Sequence, residues 1–174
     1  MHDFDLSLAV SGNSATVTLF GGKTVRFTKS GNAWQLASTE QLPYQFASAG
    51  SGFQFMSPVS NLVYSFGPTG ALSAIADRNG NTLTVTQAPG GVGPATVSDG
   101  LGRTITFTYT SGALTKVQDQ SGRSVSFQST NGNLSGFTNA NGKLTTYSYT
   151  STGGLNGLIT TETMPANSPG SCWR

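Results

Sequence analysis

The stretch that decides the fold reads DGLGRTITFTYTSGALTKVQ (99–118), DQSGRSVSFQSTNGNLSGFT (119–138) and NANGKLTTYSYTST (139–152). Gly102, Gly122 and Gly142 fall twenty residues apart, each followed by a cation, Arg103, Arg123 or Lys143. Behind each cation comes a run with apolar residues at alternate positions, the period of a strand with one face covered. A fixed period of this length marks one supersecondary unit copied along the chain. Each copy has room for two strands of about six residues and two turns. A lone hairpin cannot bury a face, so the copies are expected to pair side by side.

Working back from there, GPTGALSAIADRNGNTLTVT (67–86) follows the same plan, with Asp77 and Gly80 in the places of Asp99 and Gly102. The step from Gly80 to Gly102 is 22 residues, and the surplus falls in APGGVGP (88–94), a surface insertion. A second landmark recurs as Gly70-Ala-Leu, Gly112-Ala-Leu, Gly132-Asn-Leu and, more loosely, Gly157-Leu-Ile, which makes three full units and a partial fourth. Upstream, DLSLAV, ATVTLF, KTVRFT, AWQL and FQFM read as strands separated by Gly12-Asn13, Gly21-Gly22, Gly31-Asn32 and the Gly50-Ser51-Gly52 cluster. The expected fold is all-β: consecutive antiparallel hairpins in a curved, open sheet. Residues 1–61 form a β region before the repeats, 62–163 the repeats and 164–174 an irregular tail. Ile105, Phe107 and Tyr109, Val125 and Phe127, and Leu144, Tyr147 and Tyr149 are expected to face inward, with a bulge between Leu144 and Tyr147.

Composition agrees. Charged residues make up 9% of the 174 and aromatics 10%, so polarity comes from uncharged side chains while enough apolar bulk remains for a core. Nine Lys/Arg scattered singly, for a net charge of +2, give no basic stripe, so no nucleic-acid partner is expected. No apolar run reaches the length of a membrane span, and the acidic opening MHDFDLSLAV does not read as an export signal.

Candidate chemistry is sparse, and no catalytic residue, metal ligand or cofactor is assigned. His2 with Asp3 and Asp5 has a metal-like spacing, but at a terminus with no visible support. Cys172 has no evident base. Asp77, Asp99 and Asp119 recur at the repeat turns, where Asp accepts turn N–H groups, Gly supplies positive φ and Arg folds back to the carboxylate. Asn139 and Lys143 keep that pattern without the carboxylate, which a turn tolerates and a catalytic acid does not. The residues assigned to structural turns are therefore Asp77, Gly80, Asp99, Gly102, Arg103, Asp119, Gly122, Arg123, Gly142 and Lys143. Tyr109, Tyr147 and Tyr149 form a candidate ligand platform, although core packing is the ordinary reading of an aromatic ladder.

The repeated G-x-L…D-x-x-G-R…F-x-Y spacing resembles the tandem YD repeats of the RHS family. These are bacterial polymorphic toxins and wall-associated proteins, related to insecticidal toxin-complex shells and animal teneurins. TVTLFGGKTVRFTKSGNAWQL also resembles the segment preceding such repeats, so the likeness covers roughly residues 6–163. It implies a β-ribbon spiralling into a shell around a toxin or other effector, in a secreted or cell-surface bacterial parent. Four units are far fewer than such shells use, and the family's Asp-Pro autoprotease core is missing, so the chain is expected to be a fragment. Its open edges are expected to make homo-oligomers by strand addition. Two other readings are a carbohydrate-binding adhesin module and an opportunistic small-molecule hydrolase working on a concave face or in a dimer cleft.

Overall fold

A computed structural model describes residues 6–37, 39–150 and 157–165, and over these the protein is all-β and built from antiparallel hairpins, without closure into a barrel. The chain divides into two compact units, residues 1–104 and 105–174.

In the first unit, β1 (Ser7–Ser11), β2 (Ser14–Thr18), β3 (Thr24–Ser30) and β4 (Ala33–Leu36) neighbour one another in chain order as one sheet. A second sheet follows with β5 (Gln45–Ala49), β6 (Gly52–Ser57), β7 (Leu62–Phe66), β8 (Leu72–Ala76), β9 (Thr82–Gln87) and β10 (Pro94–Ser98), also in order. The break between sheets lies after Leu36, and β6 pairs with β7 across residues 58–61. The insertion at 88–94 carries a single 3-10 turn, Pro89–Gly91. β5 was not visible in the sequence, because Pro43 precedes it and Ala47, Ser48 and Ala49 dilute its alternation.

The core lies where these two sheets meet. Phe27 of β3 stacks on Phe46 of β5 at 5.1 Å and meets Phe55 of β6 edge-on at 6.1 Å, while Tyr44 stacks on Phe55 at 5.6 Å. Val17 and Val25 complete the inner face of the first sheet, fully buried. Alternation in β2 and β3 puts these residues on one side and Thr16, Thr18, Thr24 and Arg26 on the other. A backbone clamp joins the sheets elsewhere: the Leu8 N–H donates to the Gly70 carbonyl at 3.2 Å. Gly70 has φ of +83°, and a Cβ there would collide with the Leu8 carbonyl, so only glycine permits the approach.

The second unit holds β11 (Thr104–Thr110, entering from the first unit's last residue), β12 (Ala113–Asp119), β13 (Ser124–Thr130), β14 (Asn133–Thr138), β15 (Leu144–Tyr149) and β16 (Ile159–Thr163). Phe127 and Phe137 pair across β13 and β14 at 5.6 Å. Two expectations are corrected here. Ile105 and Leu144 do not face an interior: they are 41% and 40% exposed, and Phe107, Tyr109, Val125, Phe127, Tyr147 and Tyr149 are only half-buried. The repeat strands here form one layer, and among the described residues of this unit no second sheet covers either face.

The bulge expected between Leu144 and Tyr147 is absent. β14 and β15 pair without a shift through Leu144, Thr145 and Thr146, and β15 alternates strictly, with Leu144 on the face of Thr146 and Ser148. One register shift, at Ala95 of β10, follows the 88–94 insertion, and four bulges sit on the strand after a Gly-x-(Leu/Ile) turn. Ser73, Thr115, Ser135 and Thr160 are the unpaired residues opposite Ser65/Phe66, Thr108/Tyr109, Gln128/Ser129 and Ser148/Tyr149. All four follow the motif Gly-x-(Leu/Ile)-(Ser/Thr). Two of their hydroxyls donate across the gap, Ser73 to the Ser65 carbonyl and Thr115 to the Thr108 carbonyl, both at 3.1 Å.

Candidate functional site

The repeated acids occupy one kind of bend. In Asp99–Arg103 the Asp99 N–H donates to the Arg103 carbonyl, and Oδ1 accepts the N–H groups of Leu101 (2.9 Å) and Arg103 (3.1 Å). The other oxygen, Oδ2, accepts Arg103 Nε. Asp119–Arg123 repeats this: Oδ1 accepts from Ser121 N–H (2.9 Å), Ser121 Oγ (2.7 Å) and Arg123 N–H (3.0 Å), while Oδ2 takes Arg123 Nε at 2.7 Å. In Asp77–Asn81 the side chain of Asn81 replaces the arginine, donating to Oδ2 at 2.7 Å. Asn139 makes the same bend with its amide oxygen, accepting Asn141 and Lys143 N–H at 3.0 Å each. The fourth residue is always glycine: Gly80, Gly102, Gly122 and Gly142 have φ of +87°, +93°, +89° and +73°. This is a three-residue hairpin loop closed by a glycine in the left-handed region.

Two further bends of this kind are Leu19–Lys23, where the sequence marks the Gly21-Gly22 turn without its closure, and Gly67–Ala71. Each has the closing N–H to carbonyl bond at 2.8 Å and a fourth-position glycine, Gly22 or Gly70, but no Asp. The available signal was the glycine alone, at Leu19-Phe-Gly-Gly-Lys23 and Gly67-Pro-Thr-Gly-Ala71. At other strand ends, Ser111-Gly112 and Asn131-Gly132 form two-residue turns with both residues at positive φ.

These bonds set the electrostatics. All three aspartates are held below the usual carboxylate range: Asp77 first by the Asn81 side chain, Asp99 first by the Leu101 N–H and then by Arg103, Asp119 first by the Ser121 hydroxyl and then by Arg123. A carboxylate so placed is a weak proton acceptor near neutral pH and its lone pairs are already engaged.

Two cavities adjoin these features. One, of about 640 Å³, lies between the Asp77 and Asp99 bends in the first unit, with Leu62, Ile75, Leu83 and Leu101 as apolar walls and Arg103 at its rim. The other, of about 420 Å³ in the second unit, is lined by Tyr147 and Tyr149 with Thr130, Asn131, Asn133 and Ser135. Tyr149 donates its hydroxyl to the Leu134 carbonyl at 2.6 Å, which fixes its ring. Tyr109 does not line this cavity. Among the described residues, no three His, Cys, Asp or Glu side chains converge to hold a metal ion, and no helix is long and apolar enough to cross a membrane. His2, Asp3, Asp5 and Cys172 lie outside the described residues. Comparison with protein-family models found no match to this chain, and comparison with curated proteins found none either.

Proposed function

We propose that the chain is a structural shell segment of the RHS/YD-repeat type, non-catalytic, presenting or enclosing a toxin or effector in a secreted or cell-surface bacterial parent, and self-associating through open sheet edges. The observation that carries this reading is the fate of the repeated carboxylates. Each is consumed by donors of its own bend, and Asn139 builds the same bend without a charge. The half-buried Phe127 and Tyr147 of the repeat strands add support, as aromatic surface that another body can cover. The test is a screen with chromogenic esters and phosphates, run on wild type and on Asp99→Asn with Asp119→Asn, with and without chelator. Background rates for both proteins are expected. Turnover that the double variant loses would make the bends machinery and end the proposal.

A carbohydrate-binding module is the second reading, favoured by the cavity at Tyr147 and Tyr149, where aromatic faces adjoin uncharged hydrogen-bonding side chains. Calorimetric titration with a glycan panel decides it: saturable heat lost in Tyr147→Ala supports a sugar site, and flat titrations remove it.

A further inference from the structure

Building on the proposed self-association, we infer that β16 is the edge used and that it pairs antiparallel with β16 of a second copy, about a two-fold axis passing between the two Thr161 residues. The sheet ends of the first unit are partly engaged from within. β1 is bridged at Ser7 to Ala71 and bonded through the Leu8 N–H to the Gly70 carbonyl. β4 and β5 lie against each other through Trp34, whose Nε1 donates to Ser48 Oγ at 3.1 Å and whose ring meets Phe46 at 5.1 Å. Among the described residues β16 ends its sheet with β15 as its neighbour, and all five of its residues, Ile159 to Thr163, are exposed. Its edge protection is limited to its shortness, the bulge at Thr160 and the one charge of Glu162, with no proline or lysine in Ile-Thr-Thr-Glu-Thr.

The ladder says which backbone groups are on offer. The Asn139 N–H donates to the Lys143 carbonyl and the Thr150 N–H to the Leu158 carbonyl. Residues of an antiparallel strand alternate in the direction of their N–H and C=O groups. On β15, therefore, 143, 145 and 147 face β14, while 144, 146, 148 and 150 face β16. Ser148 opposite Thr161 and Thr146 opposite Thr163 are then the bonded pairs, and Tyr147 opposite Glu162 is not. The N–H and C=O of Glu162 point away from β15, toward a newcomer.

Charge selects the register. Self-pairing centred on Glu162 would set two carboxylates face to face, a destabilising cross-strand pair. Centring one residue earlier sets Thr161 against Thr161, a favourable pair, and brings Glu162 to the bulged Thr160 of the second copy, where the regular alternation of N–H and C=O directions ends. The two-fold closes the contact, so it yields a dimer and no fibre.

Light scattering and sedimentation of the full chain test this. Wild type is expected at twice 18.0 kDa. Glu162→Pro removes an outward donor without touching the β15 ladder, and is expected to be monomeric with an unchanged circular dichroism spectrum. Should that variant unfold, Thr161→Lys carries the test, because it sets two lysines opposite each other and is expected to weaken dimerisation about fivefold at low salt, with recovery at high salt. In a Cys172→Ser background, Thr161→Cys is expected to oxidise to a covalent dimer and Thr163→Cys to remain monomeric on a denaturing gel, since the facing Cα atoms at 161 fall within disulfide reach. A monomeric wild type overturns self-association altogether. An assembled wild type whose Glu162→Pro and Thr161→Lys variants still assemble, an open-ended polymer, or cross-linking at 163 in preference to 161 overturns the β16 assignment alone.

Discussion

Asp99 and Asp119 each spend one oxygen on backbone N–H groups two and four residues ahead and the other on an arginine. The arginines are three-quarters exposed while the carboxylates beneath them are largely covered, so solvent screens the ion pair and the backbone bonds fix the bend. With folded-state acidities below the ordinary value, these groups contribute stability above the usual carboxylate range. That contribution fades as pH falls through that range to the folded values, because the unfolded chain takes up protons first. Melting temperature is therefore expected to drop as pH falls from about 5 through and below the ordinary carboxylate range. Asp99→Asn with Asp119→Asn should melt lower at neutral pH and show a shallower acid slope, as scanning calorimetry across that range would reveal. The bend was legible from five letters because every group it needs lies within five residues. At Leu19–Lys23 and Gly67–Ala71 the glycines mark a turn but not its closure, because these bends omit the Asp.

At the scale of the strand pair, the bulge sets register. Thr115 and Ser135 each add one residue to their strand two positions after the turn glycine's neighbour, and the downstream side chains keep their faces as a result. Slipping a strand by one residue exchanges its two faces. Deleting Ser135 is expected to lower the melting temperature far more than Ser135→Ala, which loses only the contact with Thr130 Oγ1 at 3.0 Å, worth about 1 kcal/mol or less. Amide exchange at Gly136 and Phe137 would report the slip. This feature was misplaced in the sequence because alternation is read along one strand, whereas a bulge is a mismatch between two. The break in alternation at Leu144 drew the bulge to the wrong strand; Leu144 is simply an exposed leucine on the hydroxyl face.

At the scale of the molecule, the buried apolar side chains among the described residues, from Leu6 through Phe27 and Phe55 to Val97, all belong to the first unit. The second unit rests on ladder hydrogen bonds and half-buried aromatics. Local stability follows buried apolar contact, so backbone amides of β11 to β16 should exchange faster than those of β2, β3 and β6. Phe55→Ala is expected to cost about 3–5 kcal/mol and Phe127→Ala roughly half as much, read from denaturant midpoints and from mass-resolved hydrogen exchange. The all-β class and the hairpin order were open to sequence reading because both are local and periodic. The aromatic core was not, since Phe27, Phe46 and Phe55 come together only when two sheets close on each other.

Every twenty-residue copy between Asp99 and Lys143 carries its own glycine bend, its own two-residue turn and its own bulge, borrowing none of them from a neighbour. Chain length in this region is thus quantised. Excising residues 119–138 joins Gln118 to Asn139, whose bend takes over from that of Asp119, and should leave a folded protein shorter by two strands. Excising ten residues leaves an odd strand and an inverted direction, and should leave none. Growth or loss by whole copies is a change such a protein survives; a smaller change is accommodated at a turn, as the two extra residues between Gly80 and Gly102 are, and not within a strand.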